Sequence, residues 1–497
     1  MSDRPGGRHP VCRRIRHLRR ARAVGPLDQG VPHRPVGCRP RRILQLAHEM
    51  DERRRPHRAS GVLRRRPLLS PQSSTPASTM KFHACSNGKS SADNALTCGM
   101  TSHSWSAAPA VLLLCLAPVA VTFAADTFAF RHHYIDRDLP GASYGQTCLV
   151  DLDKDGDLDF ITGGKAEGNT VFWFEFKEPG NWSRHVLGRD HPSDVGGTAI
   201  DVDGDGWLDH VTGGAWYRNT GKPRKQEFER IVFDNTLAAV HDLVAADLDR
   251  DGRLDIITMS DKNNLRWYRI PNDSRQPWER HDIGLGVHAG AAVGDIDGDG
   301  DLDIVRSNAW FENVDGRGTE WKEHPVPFGN PRPPYPLSTR CVIVDINRDG
   351  HNDLVMTENE IRAGRIAWLE NIGGRGLNWT VHGLVAGDSA PRGAYHSLAV
   401  ADFDRDGDPD VFTVEMEAIK GDRLPRWFIW ENLDGKGGTF VEWVILDNGL
   451  GGHEAVVADV DGDGDPDIAS KLWRPRPDNA NGGRNHADFL ENLAVTK

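Results

Sequence analysis

Cysteine is scarce: the chain has 7 in 497 residues, and only Cys148 and Cys341 fall after residue 125. Two thiols in about 370 residues exclude a disulfide-stapled scaffold; both precede an acidic loop in apolar context and read as small core residues. Residues 101–125 contain no Asp, Glu, Lys or Arg at all. Residues 1–79 lack apolar periodicity despite their arginines, so they do not read as a domain. There is no glycine-rich phosphate loop opening a helix, no nucleophile elbow and no zinc-protease helix. These absences exclude the common nucleotide-binding, serine-hydrolase and metalloprotease designs.

What is present divides the chain. Residues 1–100 hold 21 Lys+Arg against 6 Asp+Glu, while the whole chain carries −12, so residues 126–497 carry −27. The Arg-rich stretches Arg13–Arg22 and Arg53–Arg55 allow a nucleic-acid-binding arm. Nothing downstream resembles nucleic-acid machinery, and residues 1–99 read instead as a disordered or mis-annotated basic extension, with no nucleic-acid partner expected. From Met100, the apolar run ending in Thr122-Phe-Ala-Ala125 suits a signal peptide over residues 100–125. Its two prolines and short length argue against a membrane anchor, so no stable span is expected in the mature chain. The expected location is extracytoplasmic, periplasmic or secreted.

Residues 126–497 are organised by one repeat, Asp-x-Asp-x-Asp-Gly-x-x-Asp, beginning at Asp151, Asp201, Asp247, Asp295, Asp345, Asp402 and Asp459. Calcium takes six to eight oxygens, and side chains at positions 1, 3, 5 and 9 of such a loop, with the position 7 carbonyl, can surround one ion. The expected ligands are Asp151, Asp153, Asp155 and Asp159 in loop 1, and Asp201, Asp203, Asp205 and Asp209 in loop 2. Loop 3 offers Asp247, Asp249, Asp251 and Asp255; loop 4 offers Asp295, Asp297, Asp299 and Asp303. Loop 5 offers Asp345, Asn347, Asp349 and Asp353; loop 6 offers Asp402, Asp404, Asp406 and Asp410; loop 7 offers Asp459, Asp461, Asp463 and Asp467. An EF-hand is excluded, because position 12 is never Glu and the flanks are short and β-rich. Up to seven Ca²⁺ are expected, and their +14 roughly halves the −27.

Each period reads as four short strands, A to D, with the acidic loop between A and B. That pattern is a propeller blade. Six D strands follow six C strands, and the chain ends after the seventh C strand. The missing D strand is Phe128–Ile135, so the fold is all-β: a seven-bladed β-propeller closed by an N-terminal strand that completes the last blade. Strand C carries Trp173, Trp216, Trp267, Trp310, Trp368, Ile429 and Phe489, read as packing between blades rather than a carbohydrate ladder. The Glu-Asn pairs that follow several of them read as turn residues.

On these residues the chain resembles the FG-GAP/VCBS repeats of integrin-α-type propellers, and the resemblance implies calcium in the seven loops. More narrowly, Gly196–Trp207 and Gly213–Trp216 resemble the propeller of aldos-2-ulose dehydratase-like proteins. That implies sugar chemistry, although the chain ends at the propeller without the cupin domains expected there.

The D–A and B–C connections lie opposite the acidic loops. His241, His396 and His453 each stand six residues before their loop, and His288 stands seven before its own. They are expected on one ring around the channel, open to three readings: a transition-metal site, a general base, or hydrogen bonding within the wall. Tyr395, Glu415 and Lys471 complete the catalytic candidates, with Glu358, Arg392, Trp473 and His486 expected nearby. Two functions stand at this point. One is carbohydrate binding with lyase or dehydratase chemistry, and the other is a non-catalytic, calcium-dependent adhesion or protein-binding module.

Overall fold

The computed structural model describes residues 128–494, apart from 166–168, 192–194, 385–392 and 417–423. The expected extension and signal peptide lie outside the described residues. Within them all regular structure is β, and no helix is long and apolar enough to cross a membrane.

Twenty-eight strands form seven antiparallel four-stranded sheets. Six are consecutive in sequence. In the seventh, Phe130–Asp136 is the outer strand and pairs with Ala487–Asn492, His133 opposite Phe489. The A strands are Tyr144–Val150, Gly197–Ile200, Val240–Ala246, Ala291–Gly294, Thr339–Val344, Tyr395–Ala401 and His453–Ala458. Each packs beside the next, and the last packs beside the first, so the A strands form the inner ring.

The burial pattern explains why the blades stand side by side. B and C strands are buried along most of their length, as in Asp209–Thr212, while D strands such as Glu229–Val232 face solvent. Apolar residues on B and C cannot be covered within one sheet and must meet a neighbour. The core therefore divides into seven clusters, each shared by two adjacent blades. Trp173, Trp216, Trp267 and Trp310 are fully buried in these interfaces, which bears out the packing reading. Truncating one to alanine costs about 3–5 kcal/mol.

The Glu-Asn pairs correct the turn reading. The Asn closes strand C, is buried, and stitches two blades together. Asn371 Nδ2 donates to the Ile296 carbonyl of the preceding blade at 2.8 Å, and its Oδ1 accepts from Gly376 N at 2.8 Å. The Gly376 carbonyl in turn accepts from Trp310 Nε1 at 2.9 Å. Asn313 and Asn432 repeat the arrangement with Trp267 and Trp368. Cys148 and Cys341 are free thiols in blades 1 and 5, and burial pushes the Cys148 thiol up to about 12.

Candidate functional site

The acidic loops share one backbone design. The position 1 carboxylate accepts from the amide of position 6 in every loop, and in loops 1, 2, 3 and 5 from that of position 5 as well, as Asp345 does from Asp349 (3.1 Å) and Gly350 (2.9 Å). Position 6 has φ between +86° and +102° in every loop, a conformation that glycine adopts without a Cβ penalty. The position 9 carboxylate turns inward. Asp303 accepts from Ile296 N and from Asn313 N, both at 2.9 Å, so it joins loop, strand B and strand C. Burial raises Asp159 and Asp410 to about 8, and Asp209, Asp255, Asp303, Asp353 and Asp467 to about 7. In loop 1, ligand atoms of Asp151, Asp153 and Asp159 all lie within 4.8 Å of one another, as do those of Asp201, Asp203 and Asp209 in loop 2. Donors that are all oxygen, carboxylate and converging suit a hard divalent cation. Asp153 adds a buried Oδ1 that no hydrogen-bond donor reaches.

The opposite end of the ring holds a second polar cluster. His241 and His288 have ring centroids 4.2 Å apart, His241 and His396 5.7 Å, and His396 stacks on His453 at 3.9 Å. The four histidines of blades 3, 4, 6 and 7 therefore do form one row. Blade 5 fills the gap with Arg340 and Glu360. Glu360 Oε1 lies 2.9 Å from His396 Nε2 and 3.5 Å from His288 Nε2. Arg340 reaches Asp242 Oδ1 at 2.7 Å, pairs with Glu454, and approaches His396 Nδ1 at 3.3 Å.

The partners divide the four imidazoles into two kinds. Arginine and lysine can only donate. His396 Nδ1 therefore accepts from Arg340, and His453 Nδ1 accepts from Lys471 Nζ at 2.7 Å. His396 accordingly presents Nε2–H to Glu360. His241 and His288 face the other way: their Nδ1 atoms meet Asp242 (3.3 Å) and Asp261 (2.8 Å), which leaves a lone pair on His241 Nε2, whereas His288 Nε2 faces Glu360 and shares its proton with it. The ligand atoms of His241, His288 and Glu360 lie within 4.8 Å of one another. His396, His453 and Glu454 meet the same limit, so the row holds two sets of two imidazoles and one carboxylate, and Arg340 and Lys471 already occupy the Nδ1 atoms of the second.

Electrostatics follow the same division. Burial drives His241 down to about 3 and His396 to about 4, and holds His453 well below the usual imidazole range. Against the same burial, bonds to Asp261 and Glu360 raise His288 to about 9. Aromatic rings flank the row at both ends. Tyr335 stacks on His288 at 4.2 Å, and Trp473 lies 5.1 Å from His453.

Other expected residues are placed elsewhere. Tyr395 points the opposite way from its neighbour His396, into the core between blades 5 and 6. Glu415 accepts from Arg426 N (3.1 Å) and Gly393 N (3.3 Å), and so closes its own B–C loop. Glu358 does the same with Arg365. His486 pairs with Asp488 at 2.7 Å, and Arg392 lies outside the described residues. Strand alternation gives the signal for Tyr395, since adjacent residues face opposite sides. Glu360 is legible as the acidic residue two positions after Glu358, in the B–C connection of blade 5. Asp242, Arg340 and Glu454 share one offset, five residues before their loops, but differ in residue type, so the repeat marks the place and not the chemistry; Asp261 has no such offset.

Three segments, residues 151–212, 247–305 and 345–413, match the FG-GAP-like repeat family. No curated protein matches the sequence. Among solved structures the chain is similar to BBS1N in its complex with ARL6DN, from a mercury-soaked crystal. Identity is 10%, over 73% of this chain and 98% of that one, with a TM-score of 0.42. A second is the V. cholerae biofilm matrix protein Bap1, at 14% identity over 71% of this chain and 69% of that one, TM-score 0.24. Motif spacing and seven sheets converge: the chain is a seven-bladed β-propeller, and three of its segments match FG-GAP-like repeats.

Proposed function

We propose that the chain is an extracytoplasmic, calcium-stiffened propeller that binds an acidic or oxidised carbohydrate at the histidine row and acts on it as a lyase or dehydratase. One observation carries the ligand class: a row of imidazoles with an arginine and an ammonium among them, bracketed by the Tyr335 and Trp473 rings. Aromatic faces suit the apolar faces of sugar rings, and Arg340 suits a carboxylate or carbonyl oxygen. The likeness of Gly196–Trp207 and Gly213–Trp216 to sugar-dehydrating propellers points the same way. The uncharged apolar run of residues 101–125 supports export.

Lyase or dehydratase chemistry removes a proton beside a carbonyl and stabilises the charge that develops there. His241 offers an unprotonated Nε2 for the first task; His288, protonated between Asp261 and Glu360, would join His241 and Glu360 in holding a transition metal only on giving up that proton. A metal there would supply Lewis acidity. Asp242 and Asp261 fix the two rings, and Arg340 adds positive charge beside them. Calcium in the acidic loops serves the scaffold, at the other end of the ring.

The test is calorimetric titration of the full chain with oligouronides and 2-keto sugars, before and after His288→Ala and His241→Ala. Binding that both variants weaken, with unchanged circular dichroism, supports the reading. No binding to any of these sugars sinks it and moves the case to a protein-binding module. Elimination is read separately, from new absorbance of the unsaturated product.

A further inference from the structure

We infer that in loops 2 and 3 an arginine of their own blade already occupies the ligand carboxylates, so that calcium goes to the other five loops. This rests on the calcium reading above and adds a division among sites that the motif treats as equal.

Two residues beyond the core residue of strand C, each blade places a side chain beside loop position 3. In blade 1 it is Glu175, whose ligand oxygen lies within 4.8 Å of those of Asp153 and Asp155. Blades 4 to 7 also carry glutamate there: Glu312, Glu370, Glu431 and Glu491. Blades 2 and 3 carry arginine. Arg218 pairs with Asp203 and reaches Asp205 Oδ2 at 2.7 Å. Arg269 directs both Nε and a terminal nitrogen at Asp249.

Position 7 divides the loops consistently with this. It is Asp in loops 1, 4, 6 and 7, but Trp207 in loop 2 and Arg253 in loop 3. Four loops thus gather six carboxylates each, whereas loops 2 and 3 have four and a guanidinium. Loop 5 has three aspartates and Glu370, with no arginine from its own strand C.

Hydrogen bonding gives a second indication, independent of position 7 in loops 1 and 6. Carboxylate oxygens shielded from solvent and without a donor occur on Asp153 in loop 1, Asp301 in loop 4, Asp402 in loop 6 and Asp465 in loop 7. Loops 2 and 3, fully described, contain none. Loop 1 also receives Arg224 from blade 2, on Asp153, Asp155 and Glu175, and still leaves Asp153 Oδ1 without a donor. A buried carboxylate oxygen without a donor is costly unless a cation takes its lone pair. Where arginine fills those lone pairs, calcium must expel a guanidinium that is already held, because both cannot occupy the same carboxylates.

The experiment is metal analysis of the full chain after equilibrium dialysis against buffered micromolar calcium. Five Ca²⁺ per chain is the expected count. The double variant Arg218→Glu/Arg269→Glu is expected to bind two more, and Glu312→Arg one fewer than wild type. Seven in the wild type overturns the inference and leaves the calcium reading standing; none removes both. A double variant that folds, by circular dichroism, yet gains no calcium also overturns it. Should that variant fail to fold, the wild-type count and Glu312→Arg decide.

Discussion

The Lys471 ammonium lies 2.7 Å from Nδ1 of His453 and 3.1 Å from the Tyr144 carbonyl, and so ties blade 7 to blade 1 while fixing the imidazole's tautomer. Lysine is buried here, a position it takes only when its charge is held by partners. Lys471→Met keeps the volume and removes the donor. The Tyr144 carbonyl and His453 Nδ1 both lose this bond, at about 1–3 kcal/mol for a buried group left unsatisfied. Urea unfolding is expected to show that loss; an unchanged midpoint would mean that the ammonium contributes nothing at this seam.

His453 gives a pH dependence with a definite sign. Its ring faces Lys471, His396 and Trp473, with Arg340 and His241 beyond, and burial together with these charges holds it neutral well below pH 6.5. In the unfolded chain it takes a proton near 6.5. Above 6.5 both states are neutral and stability is independent of this ring. As pH falls below 6.5 only the unfolded chain gains the proton, so stability falls, by at most about 1.4 kcal/mol per pH unit. His453→Gln accepts the same Lys471 bond and cannot titrate. Unfolding curves at pH 7.5, 6.5 and 5.5, in saturating calcium, are expected to show the wild type losing more than the variant. Parallel losses would mean that the ring is not held neutral.

What the sequence makes legible depends on whether a feature repeats. The acidic loops recur seven times, and their spacing alone places seven blades in order. Phe130–Asp136 was identifiable as an outer strand because the sixfold C–D pattern left one C strand unmatched. The row of His241, His288, His396 and His453 was also legible, since shared offsets from the loops put residues on the same ring. Its chemistry was not. Arg340 and Lys471 decide which imidazole nitrogens are available, and those pairings span 56 and 18 residues with no periodicity. Tyr395 adjoins His396 in sequence and Glu415 shares the offset of Glu358 in the next blade, yet strand alternation and loop closure direct both away from the row.

The inter-blade stitch should be sensitive to a single methyl group. Gly376 has φ +63°, and a Cβ there would stand 2.6 Å from the Trp310 ring and 2.7 Å from Ile296. Neither neighbour can retreat, since Trp310 is fully buried and donates to the Gly376 carbonyl. Gly376→Ala is expected to cost about 1–3 kcal/mol from overpacking, with left-handed strain in addition. Asn371→Ala removes the donor to Ile296 O and should cost a similar amount. The two residues act in one unit, so the double variant should fall short of the sum. Urea unfolding of the three variants measures this; strict additivity would show that the bonds act separately.

Calcium removal supplies the broadest test, because it separates a stiffened scaffold from acidic turns that need no ion. Without cations, loops 4, 6 and 7 each hold five aspartates in nine residues and one nearby glutamate. Their position 9 carboxyls are buried, and burial already raises Asp303 and Asp467 to about 7 and Asp410 to about 8. An ion that binds only the folded chain adds about 2.7 kcal/mol per site at a hundredfold excess over its Kd. Chelation with EDTA at pH 7.5 is therefore expected to lower the melting midpoint by at least several degrees, reversibly on adding calcium back. Magnesium should restore less, because it demands tighter octahedral geometry and dehydrates reluctantly. A midpoint indifferent to chelation would mean that backbone amides alone satisfy these carboxylates. The bonds from Ile296 and Asn313 to Asp303 would then be the reason the aspartates recur.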